Sequence, residues 1–163
     1  MNRVLSITLI AALFIITACG GGGGKSKIDQ IKEQSKMEAT EAESNVPASE
    51  RITLDNKGVG PIKDLPLSET IDQEMVERGK TLFSTNCSAC HKIDKRFIGP
   101  SPKGIMKRRS PEWIMNMILD PQLMVEQDRC AKDLLVEFNG AAMANQNMTE
   151  EQARDILEYF RTL

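Results

Sequence analysis

One histidine serves the whole chain of 163 residues: His91, which closes the run Cys87-Ser88-Ala89-Cys90-His91. A single imidazole excludes a zinc finger built on two histidines, a histidine-rich metal centre, and a Ser-His-Asp site with an imidazole to spare. Any chemistry that needs an imidazole has to use His91. The charge pattern excludes more. Charged residues are 27 % of the chain, hydrophobic ones 40 %, and the formal net charge is −2. That balance fits neither a basic nucleic-acid binder nor a polytopic membrane protein. The remaining cysteines, Cys19 and Cys130, bring the total to 4, and their scatter is not that of a disulfide framework.

Cys19 belongs to the opening segment. Arg3 gives a short positive start, and Val4 to Ile16 is apolar apart from Ser6 and Thr8. As a helix that stretch would be about 20 Å long, too short for a hydrocarbon core of about 30 Å. It reads as the apolar region of an export signal rather than a span. Ile16-Thr17-Ala18-Cys19, followed by five glycines, resembles the lipobox of bacterial lipoproteins. The resemblance implies a signal peptide over 1–18 and diacylglycerol on the Cys19 sulfur, which would anchor the mature chain to a membrane facing the periplasm. Two or more acyl chains hold stably. The alternative is an ordinary signal peptide with an incidental cysteine.

Residues 19–69 are expected to be a tether. Lys25 to Glu69 carries 7 basic and 9 acidic residues and no aromatic residue. Such a composition buries too little apolar surface to offset its ordering entropy, so the stretch is predicted to be mostly disordered. About fifty flexible residues have a root-mean-square reach of roughly 40 Å.

A folded domain is predicted over 70–163, and its signals are helical. Thr70 with Gln73 has the spacing of a capping box, and Met75, Val76, Gly79, Leu82 and Phe83 share a face. Ser110-Pro111 is a helix start with proline at the first position, running through Trp113, Ile114, Met117 and Ile118 to a stop at Asp120-Pro121. A third helix is predicted over Arg129 to Phe138, closed by Asn139-Gly140. Thr149 with Gln152 opens a last helix whose stripe is Ile156, Leu157, Tyr159, Phe160 and Leu163. The expectation is an all-α domain of about four helices. Its few aromatic residues make a modest core, so a cofactor is expected to fill the middle.

C-x-x-C-H is the attachment signature of c-type haem. Two thiols three residues apart at a helix end reach the vinyl groups on adjacent pyrroles, and the next residue sets its imidazole under the iron. Other readings compete. A thioredoxin-like C-x-x-C belongs beside a βαβ pattern, which is lacking here. Zinc on Cys87, Cys90, His91 and Cys130 has suitable ligand types, but adjacent Cys90 and His91 converge poorly on one tetrahedral ion.

From Glu77 to Leu163 the chain resembles the class I cytochromes c. Gly79-Lys80-Thr81-Leu82-Phe83 ends three residues before the first cysteine of the motif, and "DILEYFRTL" matches the C-terminal helix that packs across it. Gly99-Pro100 resembles the pair whose proline carbonyl accepts the hydrogen bond of the ligand imidazole, which implies that role for Pro100. The resemblance further implies one covalent haem c on Cys87 and Cys90, His91 as one axial ligand, and no catalytic residues.

Without a second histidine, a thioether is the available sixth ligand. Six methionines follow His91. Met115 and Met117 lie within a helix, where packing is the default use, and Met106 and Met124 lie near helix ends. The family keeps its distal ligand in the last loop, which holds Met143 and Met148. Met148 precedes the Thr149 cap, the place of a hydrophobic staple, so Met143 is preferred. The family usually follows this methionine with proline; here it is Ala144.

Iron held on both sides suits single-electron transfer, not an enzyme's substrate chemistry. The rival functions are a haem-based sensor whose methionine dissociates, and a structural zinc domain. His91 to Ser110 carries seven basic residues (Lys92, Lys95, Arg96, Lys103, Lys107, Arg108, Arg109) and one acid, a pattern that would steer a monomeric carrier towards an acidic redox partner. The stretches "RRSPEWIMNMILDP" and "EFNGAAMANQNMTEEQA" resemble small cytochromes that accompany respiratory reductases, including nitrous oxide reductase.

Overall fold

The computed structural model describes residues 45–163; the expected export signal, Cys19 and the first part of the predicted tether lie outside them. Among the described residues five α-helices form and no strand does, the one β-type contact being an isolated bridge between Thr53 and Arg109. The helices are α1 (Gln73–Asn86), α2 (Pro111–Leu119), α3 (Pro121–Gln127), α4 (Arg129–Glu137) and α5 (Glu150–Phe160), with a 3-10 turn at Ile105–Lys107. None of them is long and apolar enough to cross a membrane.

Each start is set by a side-chain oxygen that satisfies free helix N–H groups. Ser110 Oγ accepts from Trp113 N at 3.1 Å, with Pro111 following it. Asp128 accepts from Ala131 N, and Thr149 with Gln152 makes both bonds of a capping box. Two expectations change. The cap of α1 is Asp72, which accepts from Glu74 N and Met75 N, while the Thr70 hydroxyl pairs with Ser68 instead. A carboxylate next to the helix end is the stronger cap there, because it also meets the positive end of the helix dipole. Asp120-Pro121, read as a stop, is also a start: Asp120 ends α2 and accepts from Leu123 N, and Pro121 opens α3. That is the helix missing from the predicted four.

The core is organised around the crossing of α1 and α5. A Cβ on Gly79 would stand 2.0 Å from the Asp155 carbonyl oxygen, so only glycine lets the two backbones approach this closely. Beside that contact Arg78 binds buried Asp155 through two bonds of 2.8 and 2.9 Å. Phe83 then packs against Tyr159 and Phe160, each ring centroid 5.8 Å away. Helices α2 to α4 complete the wall with Trp113, Ile114, Met115, Met124 and Leu134, all buried.

The tether expectation fails from Asn45 onwards. Residues 45–69 form an irregular strap laid on the helices, with Ala48 and Ile62 in the core. It is held by helix side chains, through its backbone and its side chains alike. Asn116, fully buried, takes Ile62 N on its oxygen and gives its amide hydrogens to the Lys57 and Ile62 carbonyls. Glu137 accepts from Ser49, Asp128 from Asn56, Glu112 from Leu65 N, and Asp133 pairs with Arg51. Gly58 adopts φ +69° where a Cβ would meet Met124 at 2.7 Å. Order here comes from polar groups of the domain, which composition does not report.

Candidate functional site

Helix α1 delivers the motif. Cys87 N and Ser88 N both donate to the Phe83 carbonyl, and Cys90 N and His91 N both donate to the Cys87 carbonyl. The resulting tight turn brings Cys87, Cys90 and His91 to one cavity wall. The chain then doubles back. Gly99 N donates to the Cys90 carbonyl at 3.0 Å, which sets Gly99 against the imidazole, where a Cβ would lie 2.5 Å from His91 Cε1.

His91 Nδ1 lies 2.8 Å from the Pro100 carbonyl oxygen. A carbonyl only accepts, so Nδ1 carries a proton, which in the neutral ring leaves the Nε2 lone pair free. The Cys87 thiol is half-buried, and burial, with Cys90 adding to it, pushes its pKa up to about 11. The free side chain is therefore a neutral thiol.

The cavity encloses about 1390 Å³ counting its open mouth. Its wall is mostly apolar, with Phe83, Trp113, Ile114, Leu134, Phe138 and Phe160 among the lining residues. Met143 lines it as well, from the loop between α4 and α5. That loop turns off α4 through Asn139 (φ 55°) and Gly140 (φ 77°). Two thiols, an imidazole with a free nitrogen, a thioether and an apolar chamber fit a large flat macrocycle holding one iron.

Placement sorts the other candidates. Met117 lines the cavity too, a position the helical pattern assigned to packing. Met148 instead packs against the core beside the start of α5. Cys130 is buried on α4, away from the cavity lining, with its thiol pKa raised chiefly by desolvation. No group of three or more His, Cys, Asp and Glu side chains that could hold a metal ion forms among the described residues, so the Cys87-Cys90-His91-Cys130 zinc set does not assemble.

The basic stretch also divides. Arg109 is 3 % exposed and turned into the protein, so it cannot be part of a steering surface. Arg96 pairs with Glu137 and lies 3.9 Å over the Phe138 ring, and Lys103 pairs with Asp94 at 2.8 Å. Lys95 and Lys107 are exposed.

Known proteins bear on this geometry. The model of the family "Cytochrome c" matches residues 76–163. A "Cytochrome c-553-like" protein of Synechocystis sp. is 38 % identical over 47 residues, which are 28 % of this chain and 45 % of that protein. The chain thus spans less than half the length of that curated relative. The solved cytochrome c from Rhodothermus marinus is 40 % identical, with a TM-score of 0.62 over 71 % of this chain and 92 % of that one. An engineered form of it, bound to a carbene intermediate, matches with a TM-score of 0.59 over 71 % of this chain and 93 % of that one. With the family match covering more than half of its length, and Cys87 and Cys90 standing where the covalent links form, this chain belongs to the cytochrome c family and carries c-type haem.

Proposed function

We propose that the protein is a monomeric single-electron carrier of the bacterial envelope, its haem iron held between His91 Nε2 and the Met143 sulfur. When bound, the haem supplies an iron that takes up and releases one electron. The chain's own residues do the rest. Pro100 fixes the ring and proton of His91, Gly99 leaves it room, and the apolar wall keeps water from the site.

One observation carries the Met143 assignment. From Asn139 to Asn147 every residue is exposed except Met143, which lines the same cavity as His91. Met143→Ala is expected to convert a low-spin spectrum to high-spin and to lower the midpoint potential, as loss of a thioether ligand should. Met117→Ala is expected to leave the spectrum low-spin; the reverse pattern would reassign the ligand. A second reading, a haem-based sensor, draws on the sparse support of this loop, where a Cβ on Gly140 would meet nothing within 4 Å. Carbon monoxide separates the two: a carrier resists it in the ferrous state at neutral pH, and a sensor binds it.

Lipid on Cys19 would hold the carrier at a membrane facing the periplasm, so Cys19→Ser is expected to release it into the soluble fraction. The proposed partner is a redox protein with an acidic face, a respiratory reductase such as nitrous oxide reductase, met through Lys95 and Lys107. Electron-transfer rates should then fall as salt rises, and less steeply once both lysines are neutralised.

A further inference from the structure

The loop that carries Met143 has little of its own to hold it. Residues 142–147 form hydrogen bonds only among themselves, from Gln146 to the Ala144 carbonyl and from Asn147 N to the Asn145 side chain. Apart from the thioether's own contacts, the loop is therefore held at its two ends. Its far end is the capping box of Thr149 and Gln152 that opens α5. Its near end is Phe138, which closes α4 and lines the cavity.

One side chain fastens the near end. Arg96 Nη1 donates to Glu137 Oε1 at 2.7 Å and Nη2 to the Glu137 carbonyl at 2.6 Å, with the guanidinium 3.9 Å over the Phe138 ring. Its fork and its flat face are used together, which a single ammonium could not do. The carbonyl it takes is one that α4 leaves without a helical partner, at the negative end of the helix. Glu137 is held from the other side by the strap, accepting from Ser49 N and the Ser49 hydroxyl. Exposed ion pairs contribute little by themselves, but the Glu137 side chain is only 14 % exposed. Arg96 lies five residues after His91, and Phe138 five before Met143. Among the described residues, the two Arg96 bonds are the only hydrogen bonds that join 92–99 to 137–148. The segment leaving His91 is thus fastened to the root of the loop that reaches Met143.

We propose that Arg96 is a positioning residue for Met143. Through Glu137 and Phe138 it holds the root of the loop, and so sets how often the thioether withdraws and lets an outside ligand in. This rests on the His91 and Met143 ligation proposed above and adds the residue that controls access to the Met143 side. Arg96 then acts as a latch and not as part of the basic face offered to a partner.

An outside ligand binds only the molecules whose thioether has withdrawn, so its apparent dissociation constant reports that fraction. The probe is imidazole, titrated into the ferric, haem-loaded full chain. Met143→Ala is measured first: a spectrum that stays low-spin defeats the ligand reading and this proposal with it, and the outcomes that follow bear on the latch alone. Arg96→Gln is expected to lower the imidazole dissociation constant about tenfold, the scale for losing a hydrogen bond to a charged group. Its spectrum without imidazole should stay low-spin. The Asn139, Gly140 and Ala141 amides donate to the Val136, Leu135 and Phe138 carbonyls, so their hydrogen exchange reports the root of the loop and should quicken in the same variant. Glu137→Gln, which weakens the pair but keeps the carbonyl bond, should move both readouts the same way and by less. Arg51→Gln is the control, because Arg51 binds Asp133 one turn earlier on α4 and also ties the strap down. It should leave both readouts parental, whatever it does to the melting temperature. Imidazole affinity and amide exchange that are unchanged in Arg96→Gln, or changed as much in Arg51→Gln, overturn the proposal.

Discussion

At the scale of single residues, the site depends on one missing side chain as much as on those present. Gly99 faces the His91 ring at a distance that no Cβ tolerates, 2.5 Å from Cε1 and 2.8 Å from Nδ1. A larger residue must either push the imidazole away or stretch the bond from Nδ1 to Pro100. Overpacking of this kind typically costs about 1–3 kcal/mol in a close-packed interior. Gly99→Val is therefore expected to lower the melting temperature of the holoprotein and to give a partly high-spin spectrum as the ring turns off its axis. A parental spectrum and melting curve would mean that the loop from Ile98 to Pro100 yields instead. This residue-level logic was largely open to sequence reading, since the C-x-x-C-H spacing and Gly99-Pro100 are local patterns. Arg109 was not: in sequence it is one of seven basic residues, and only its burial separates it from Lys107.

At the scale of elements, the pairing of α1 with α5 joins the first helix to the last and brings a buried carboxylate with it. Glu158 is 1 % exposed and accepts from Asp72 N at 3.0 Å, from Arg161 at 2.7 Å and from Arg154. Burial alone would raise its pKa, but the Asp72 N–H and the two guanidinium groups more than offset that and hold it below 4.5. The folded value is thus lower than the unfolded one. The stability it contributes is complete above the ordinary carboxylate range and is lost as pH falls through 4.5 towards the folded value. Glu158→Gln should cost about 3 kcal/mol near neutrality, the low end for breaking a buried pair. It should also flatten the fall in melting temperature between pH 5 and 3; an unchanged acid slope would remove Glu158 from that role. Helix existence was legible here because periodicity and cap residues agreed over α2, α4 and α5. The start of α1 was not, because Thr70 and Asp72 both offer a cap and only the neighbouring Ser68 hydroxyl, which takes Thr70, decides between them.

For the whole molecule, the folded unit is larger than the helices that hold the cofactor. The strap has no aromatic residue and the composition of a linker, yet Asn116, Glu112, Glu137 and Arg109 bind its backbone at intervals and Asp128 takes the Asn56 side chain. Each of these reaches it across 47 or more positions of sequence, which is why no local pattern announces the contact. If the strap were only a spacer, a chain beginning at Thr70 would melt as the longer one does. The structure argues otherwise, since removal uncovers Trp113, Met124 and Asn116, which are 3 %, 0 % and 0 % exposed under it. Uncovering even about 150 Å² of apolar surface forfeits nearly 4 kcal/mol. For a domain of this size a change of that order lowers the melting temperature by at least about 10 °C. Calorimetry of the haem-loaded protein starting at Asn45 against one starting at Thr70 measures the difference directly. Melting temperatures within a degree or two of each other would return residues 45–69 to the role of tether, and a drop in both melting temperature and midpoint potential would tie strap and cofactor into one cooperative unit.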